Sequence, residues 1–189
     1  MKKLVVLAMV LGICSMASAV VTMDIRVDGS DPGDEITLSP GTASISINGT
    51  VPSGEYTSVW FIAAGAGSMS GGAVTTVGNC ALATISPSAF LDPTDEGLGT
   101  WGDLMASLGY ADTSTIYNVD LSDSAEPFDA LTGDLLSGVT LDFAGPAATL
   151  AIIDYMGEAP FVRDSLSIVP EPMTIALLGL GGLFIRRKK

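Results

Sequence analysis

The sequence contains no histidine, only 2 cysteines, and 8 basic residues against 21 acidic ones. Without histidine, Ser-His-Asp and Cys-His nucleophile systems and histidine-based zinc sites are excluded. Cys14 lies in the N-terminal apolar run, which leaves Cys80 alone in the remainder of the chain. No intrachain disulfide or thiolate cage can form there, and Cys80 reads as a small buried hydrophobe. Lysine occurs only at Lys2, Lys3, Lys188 and Lys189. Its absence in between removes Schiff-base and Ser-Lys mechanisms, and no glycine-rich phosphate loop with its lysine is present. The acids that remain are numerous but scattered. A glycosidase needs two at a defined separation across a cleft, and this pattern singles out no pair. A carboxylate-based hydrolase is therefore a third reading, and the expectation is that the protein is not an enzyme.

The basic residues sit almost entirely at the two ends. Removing Lys2, Lys3 and Arg186 to Lys189 leaves Arg26 and Arg163, whereas all acids except Glu171 lie between Val20 and Ser167; two positive against 20 negative charges give −18. Such a charge favours solubility and repels nucleic acid and anionic lipid. It also attracts cations. Asp28, Asp31, Asp34 and Glu35 share one eight-residue loop, and Asp92, Asp95 and Glu96 share another. Hard oxygen ligands on loops are what Ca²⁺ requires, although neither loop has the twelve-residue EF-hand spacing. The competing reading of Asp28 to Glu35 is turn chemistry, where Asp, Gly, Ser and Pro dominate for conformational reasons. No cofactor is otherwise expected.

Both ends carry addresses. Residues 1–19 have Lys2 and Lys3 as a positive start, an apolar run from Leu4 to Met16, and Ala17-Ser18-Ala19 as a small-residue cleavage site, the pattern of a secretory signal peptide cut by signal peptidase. A lipoprotein reading of Leu11-Gly12-Ile13-Cys14 competes, but bulky Ile13 is wrong for that site. At the other end, Pro170-Glu171-Pro172 precedes an uncharged run from Met173 to Ile185 and the basic cluster Arg186, Arg187, Lys188 and Lys189. Pro172 suits the first turn of a helix and Glu171 suits its positive end. Thirteen helical residues span roughly 20 Å against a hydrocarbon core of about 30 Å, short for a permanent anchor. Basic residues beside an apolar span tend to stay cytoplasmic.

Residues 169–189 closely resemble the PEP-CTERM sorting tail of exported bacterial proteins. That resemblance implies processing at or near Pro-Glu-Pro by a membrane enzyme of the exosortase class. It further implies at least transient membrane attachment, then release or re-attachment at the cell surface or in an exopolysaccharide-rich matrix. An ordinary single-span anchor or a buried hydrophobic C-terminal helix is the competing reading.

Residues 20–168 suit one domain with a substantial core. Turn residues punctuate short apolar and β-branched runs at Val21–Val27, Glu35–Leu38, Ala43–Asn48, Tyr56–Ala63, Ala73–Val77, Ala81–Ile85, Ile116–Leu121, Val139–Phe143, Thr149–Tyr155 and Val162–Ile168. Ten short strands predict a mainly β fold, an antiparallel sandwich of jelly-roll type. Ile45 and Ile47 alternate with Ser44 and Ser46, and Val139, Leu141 and Phe143 with Thr140 and Asp142, so one face is buried and one wet. Three connections follow from turn chemistry: a hairpin over Val139 to Tyr155 turning at Ala144-Gly145-Pro146, a hairpin turn at Asn48-Gly49-Thr50, and a flexible loop over Gly65 to Gly72. One short helix interrupts, capped by Thr100, with Trp101, Leu104, Met105 and Leu108 at helical spacing and Gly109 ending it.

The domain resembles cohesin-like sandwiches in its Asp31-Pro32-Gly33-Asp34 turn within Asp28 to Gly41, its closing Val139 to Ile168 strands, and the tail directly after them. That resemblance implies binding or scaffolding of a surface polysaccharide or protein, with no partner-binding residue matched. The functional expectation is an exported surface or matrix protein of structural or binding type. The alternative is a carbohydrate-binding module stacking sugars on exposed Trp60, Trp101 or tyrosines.

Overall fold

A computed structural model of the protein describes residues 20–53, 55–76, 80–85, 105–110, 113–122, 130–156 and 160–171. The signal segment, the tail from Pro172 onward, the helix start at Thr100 to Leu104 and the acids Asp92, Asp95 and Glu96 lie outside the described residues. Eight strands form among them: β1 Thr22–Val27, β2 Glu35–Leu38, β3 Gly41–Val51, β4 Tyr56–Val74, β5 Ala81–Ile85, β6 Thr113–Ser122, β7 Leu131–Asp154 and β8 Phe161–Pro170.

Two very long strands organise the fold. β4 has 19 residues and β7 has 24, and they pair antiparallel along almost their whole length. Val59–Gly65 of β4 runs against Asp154–Ala148 of β7, and Gly67–Val74 runs against Phe143–Leu136. The register breaks between Gly65 and Gly67, opposite the segment from Ala144 to Ala147. At that break the hydrogen-bonded surface folds into two layers. One layer contains β5, β6, the first half of β4, the second half of β7, β8 and β2; the other contains β1, β3, the first half of β7 and the second half of β4. Gly65 makes the crossing feasible. Its φ is +79°, and a Cβ there would lie 2.8 Å from the Ala147 carbonyl oxygen, a position only glycine fills without strain.

The core lies between the layers. Met23, Ile25, Ile45, Ile47, Leu141 and Phe143 of the smaller layer meet Val59, Phe61, Val119, Leu121, Leu150, Ile152, Leu166 and Ile168 of the larger. This is the burial that the alternating patterns at Ile45/Ile47 and Val139/Leu141/Phe143 predicted. Leu135 and Leu136 are both buried although adjacent, because the register between β3 and β7 shifts there. A bulge turns two neighbouring side chains toward one face.

Four sequence expectations are corrected. Val139–Phe143 and Thr149–Tyr155 are halves of the single strand β7, not the arms of a hairpin; Ala144-Gly145-Pro146 marks the passage between layers. Gly65–Gly72 is strand rather than loop, because β7 supplies the backbone partners that local sequence could not reveal. Asn48-Gly49-Thr50 lies inside β3, flanked by β1 and β7, and makes no turn. The sandwich is also not wholly antiparallel, since β2 pairs with β8 in parallel.

Each open edge of the smaller layer is covered by side chains of the larger one. Along β1, the Ile25 amide donates to Asp164 Oδ2 (2.7 Å) and Arg163 Nη1 donates to the Val21 carbonyl (3.0 Å). Along the second half of β4, the Met69 amide donates to Thr115 Oγ1 (3.0 Å) and Tyr117 donates its hydroxyl to the Gly71 carbonyl (2.9 Å). These contacts satisfy groups that an edge would leave for another chain.

The described end of the helix closes as expected. Gly109 has φ +85°, its amide donates to the Ala106 carbonyl (3.1 Å), and the Tyr110 amide donates to the Met105 carbonyl (2.8 Å). This paired closure is a Schellman motif, and Tyr110 and Met105 supply its apolar contact. Met105, Leu108 and Tyr110 pack on the outer face of the larger layer with Trp60, Ile62, Ile116, Ala151 and Ile153.

Candidate functional site

Beside that second apolar cluster, the outer face of the larger layer becomes polar. The outward positions of β4 are Tyr56, Ser58 and Trp60; those of β6 are Asn118 and Asp120, with Ser58 opposite Asp120 and Trp60 opposite Asn118. Ala81 and Ala83 of β5 lie opposite Asp120 and Asn118 and are exposed. Tyr155, just after β7, completes the group. Alternation along three strands therefore brings two tyrosines, a serine, an asparagine and a carboxylate to one surface.

These side chains form one network. Ser58 Oγ bonds to Asp120 Oδ1 and to the Tyr155 hydroxyl, and Tyr155 donates to Asn118 Oδ1 (2.7 Å). Asn118 Nδ2 donates to Asp120 Oδ1 (3.0 Å), and the Tyr56 hydroxyl reaches the same oxygen at 3.5 Å. Ser58 is fully buried beneath the network. The Tyr155 ring stacks on Trp60 with centroids 4.2 Å apart and planes 14° from parallel. Trp60 is 6% exposed and Tyr56 is 48% exposed. Trp60 is thus an internal support and offers no sugar platform, while Trp101 lies outside the described residues. Tyr56 is the open ring.

Burial is the main reason the Tyr155 hydroxyl titrates above the ordinary tyrosine range; the Ser58 bond opposes that rise, Asp120 and Tyr56 add to it, and the Asn118 bond opposes it. Tyr110 and Tyr117 are also raised, chiefly by burial. Unfolded tyrosines lose their proton near pH 10. Above that pH the folded protein holds more protons than the unfolded chain, so stability is fully present below about pH 10 and falls as pH rises further. Residues 20–169 contain no lysine to mask this effect. Melting temperature followed from pH 8 to 11.5 should fall beyond pH 10, and Tyr155→Phe should fall less steeply. Parallel slopes would show that Tyr155 does not contribute.

The four loop acids do not converge. Asp28, Asp31, Asp34 and Glu35 are all exposed, and among the described residues no group of three or more acids, histidines or cysteines is arranged to hold a metal. Asp28 takes a left-handed backbone conformation (φ 49°) and its Oδ1 accepts the Ser44 amide at 3.0 Å. Asp31 Oδ1 accepts the Gly33 amide at 2.9 Å. Asp34 holds the neighbouring strand through its carbonyl, which accepts the Ser167 amide at 2.9 Å. The Asp and Gly residues of this loop build turns and strand ends, as their local chemistry allows.

Of the predicted sorting motif, Pro170 is the last residue of β8, opposite Leu38 of β2, and the exposed Glu171 donates its amide to the Leu38 carbonyl at 3.2 Å. Pro172, Ala17, Ala19 and Arg186 to Lys189 lie outside the described residues. No helix among the described residues is long and apolar enough to cross a membrane.

In comparisons with known proteins, no protein-family model and no curated protein matches the chain. Among solved structures, a cohesin module from a Clostridium perfringens ATCC13124 family 33 glycoside hydrolase is similar at 12% identity and TM-score 0.37, covering 82% of this chain and 100% of that one. A chain described as BspA_C_mut is similar at 7% identity and TM-score 0.42, covering 80% of this chain and 52% of that one. At these values neither supplies a functional residue.

Sequence reasoning missed Ser58, Asn118 and Asp120. The available signal was alternation: Tyr56, Ser58 and Trp60 share one parity on β4, as do Asn118 and Asp120 on β6. What alternation could not supply was the pairing of β4 with β6, across a sequence separation of roughly sixty residues.

Proposed function

We propose that the chain is an exported surface- or matrix-associated protein whose folded unit is a structural or binding β-sandwich. On this reading residues 1–19 are removed by signal peptidase, and an exosortase-class membrane enzyme handles the tail. The supporting observation is how far the described backbone pairing reaches. Backbone pairing runs through Pro170 and the Glu171 amide, so the folded unit extends to the first two residues of the Pro-Glu-Pro step and the remaining tail follows it directly. A short uncharged run of thirteen residues between this step and the basic cluster suits transient membrane holding better than permanent anchoring. The reading assigns no catalytic step.

Intact mass of the protein recovered separately from membrane and extracellular fractions tests this. The expected extracellular species begins at Val20 and lacks Arg186 to Lys189. Its C-terminus is expected at or beyond Glu171, because an earlier cut would have to strip β8 from both β7 and β2. Retention of the basic cluster in every fraction would reduce the tail to an ordinary anchor.

A further inference from the structure

We propose that the outer face formed by Tyr56, Asn118 and Asp120 binds a neutral oligosaccharide. The inference deepens the reading of the sandwich as a binding unit and is independent of how the tail is processed. Three observations support it.

First, the network leaves acceptor capacity on Asp120, which is half-buried. The contacts from Tyr56, Ser58 and Asn118 all fall on Asp120 Oδ1, so among the described residues Oδ2 receives no donor. A carboxylate whose orientation is fixed through one oxygen is a strong acceptor for a sugar hydroxyl at the other. Asn118 uses its amide to fix Asp120 and accepts from Tyr155 through its own oxygen, so the rotamers that aim the carboxylate are locked from beneath. Preorganisation of this kind reduces the ordering cost of binding.

Second, the surface has the relief a sugar chain needs. The exposed Tyr56 ring stands at one side, and Ala81 and Ala83 on the edge strand leave a low shelf at the other. From β5 across β6 and β4 to Tyr155 beside β7 there are three interstrand spacings of about 4.8 Å, roughly 14 Å in all, enough for a short oligosaccharide. An aromatic ring flanked by fixed polar groups provides stacking for C–H faces and orientation for hydroxyls.

Third, charge selects the class. At −18 between Val20 and Ser167, the domain opposes uronates, sulfated glycans and nucleic acid. The patch is too polar for a stable protein interface, whose centre is depleted of charge. A neutral saccharide satisfies both conditions.

The test uses the protein as recovered from producing cells, whatever the state of its tail. It is titrated by calorimetry with neutral cello-, malto-, manno-, galacto- and β-1,3-gluco-oligosaccharides, with an oligouronate as the charged comparison. At least one neutral oligosaccharide is expected to bind with millimolar or tighter affinity, and the oligouronate to bind more weakly. Tyr56→Ala removes an exposed ring whose hydroxyl, among the described residues, makes a single long contact of 3.5 Å, so it should melt like the parent while weakening binding by about tenfold or more. Asp120→Asn should weaken binding comparably. The proposal is overturned if no neutral sugar binds, if the oligouronate binds better, or if binding survives both substitutions in folded protein. None of these outcomes would affect the mass test of the tail.

Discussion

Arg163→Met is expected to destabilise the sandwich by about 3 kcal/mol or more, the range found when one member of a buried ion pair is removed. Asp154 is 4% exposed, and it receives Arg163 through Nε (2.8 Å) and through Nη2, both on Oδ2. Its other oxygen accepts the Met156 amide at 2.9 Å. With Arg163 gone, a carboxylate inside the protein keeps, among the described residues, that single donor. The loss also reaches the edge of the smaller layer, because Nη1 of the same guanidinium holds the Val21 carbonyl, and the guanidinium lies 5.2 Å from the centre of the exposed Phe161 ring. Denaturant unfolding of Arg163→Met measures the cost. The double variant Asp154→Leu with Arg163→Met should recover a large part of it, since replacing both partners removes the stranded charge. A loss below about 1 kcal/mol would mean that the pair behaves like an exposed one.

Gly49→Ala should be comparably damaging, at about 3 kcal/mol, near the upper end of overpacking costs. Gly49 occupies the inward row of β3 that also holds Ile45, Ile47 and Val51. It lies between Met23 of β1 and Gly133 of β7. A Cβ there would come within 2.0 Å of the Thr22 carbonyl oxygen, 2.9 Å of its carbon and 3.0 Å of the Met23 Cα. All three are backbone atoms, so no rotamer change can relieve the collision. β1 has to move away from β3, which also disturbs the Val21 contact with Arg163. Lowered stability together with accelerated amide exchange in β1 would confirm that route. An unchanged melting temperature would mean that β1 shifts freely and its edge contacts contribute little.

The strand runs were largely legible. Glu35–Leu38 and Ala81–Ile85 match β2 and β5 as found, because short β-branched runs bounded by turn residues have few alternatives. The three failed turns share one cause. At Gly65–Gly72, at Ala144–Pro146 and at Asn48–Thr50, glycine, proline and asparagine marked places where the backbone does something unusual. Whether that meant a reversal, a bulge or a crossing between layers depended on partners far along the chain. Gly49 illustrates the point: in local sequence it looks like a turn residue, whereas in the fold it is where two strands approach too closely for any side chain. The candidate binding face was half legible. Its aromatic and polar residues stood at matching parity, but the sugar-binding alternative needed exposed aromatics, and Trp60, one of those it named, is buried beneath Tyr155.

By itself the sequence determined what depends on composition and local pattern. The absence of histidine excludes histidine-based catalysis, the charge of −18 between Val20 and Ser167 opposes polyanions by repulsion, and period-two alternation determines which strand face is buried. The proposed addresses at the two ends rest on the order of their residues alone, and a linear signal needs no fold. Tertiary structure decided everything that required residues distant in sequence to meet. It ran β4 and β7 through both layers, seated Arg163 on Asp154, turned the Asp28 and Asp31 carboxylates onto backbone amides, and gathered Tyr56, Asn118 and Asp120 on one face. Pairing and register are set by the global burial of the apolar rows, and that optimum exists only once the layers have closed on each other.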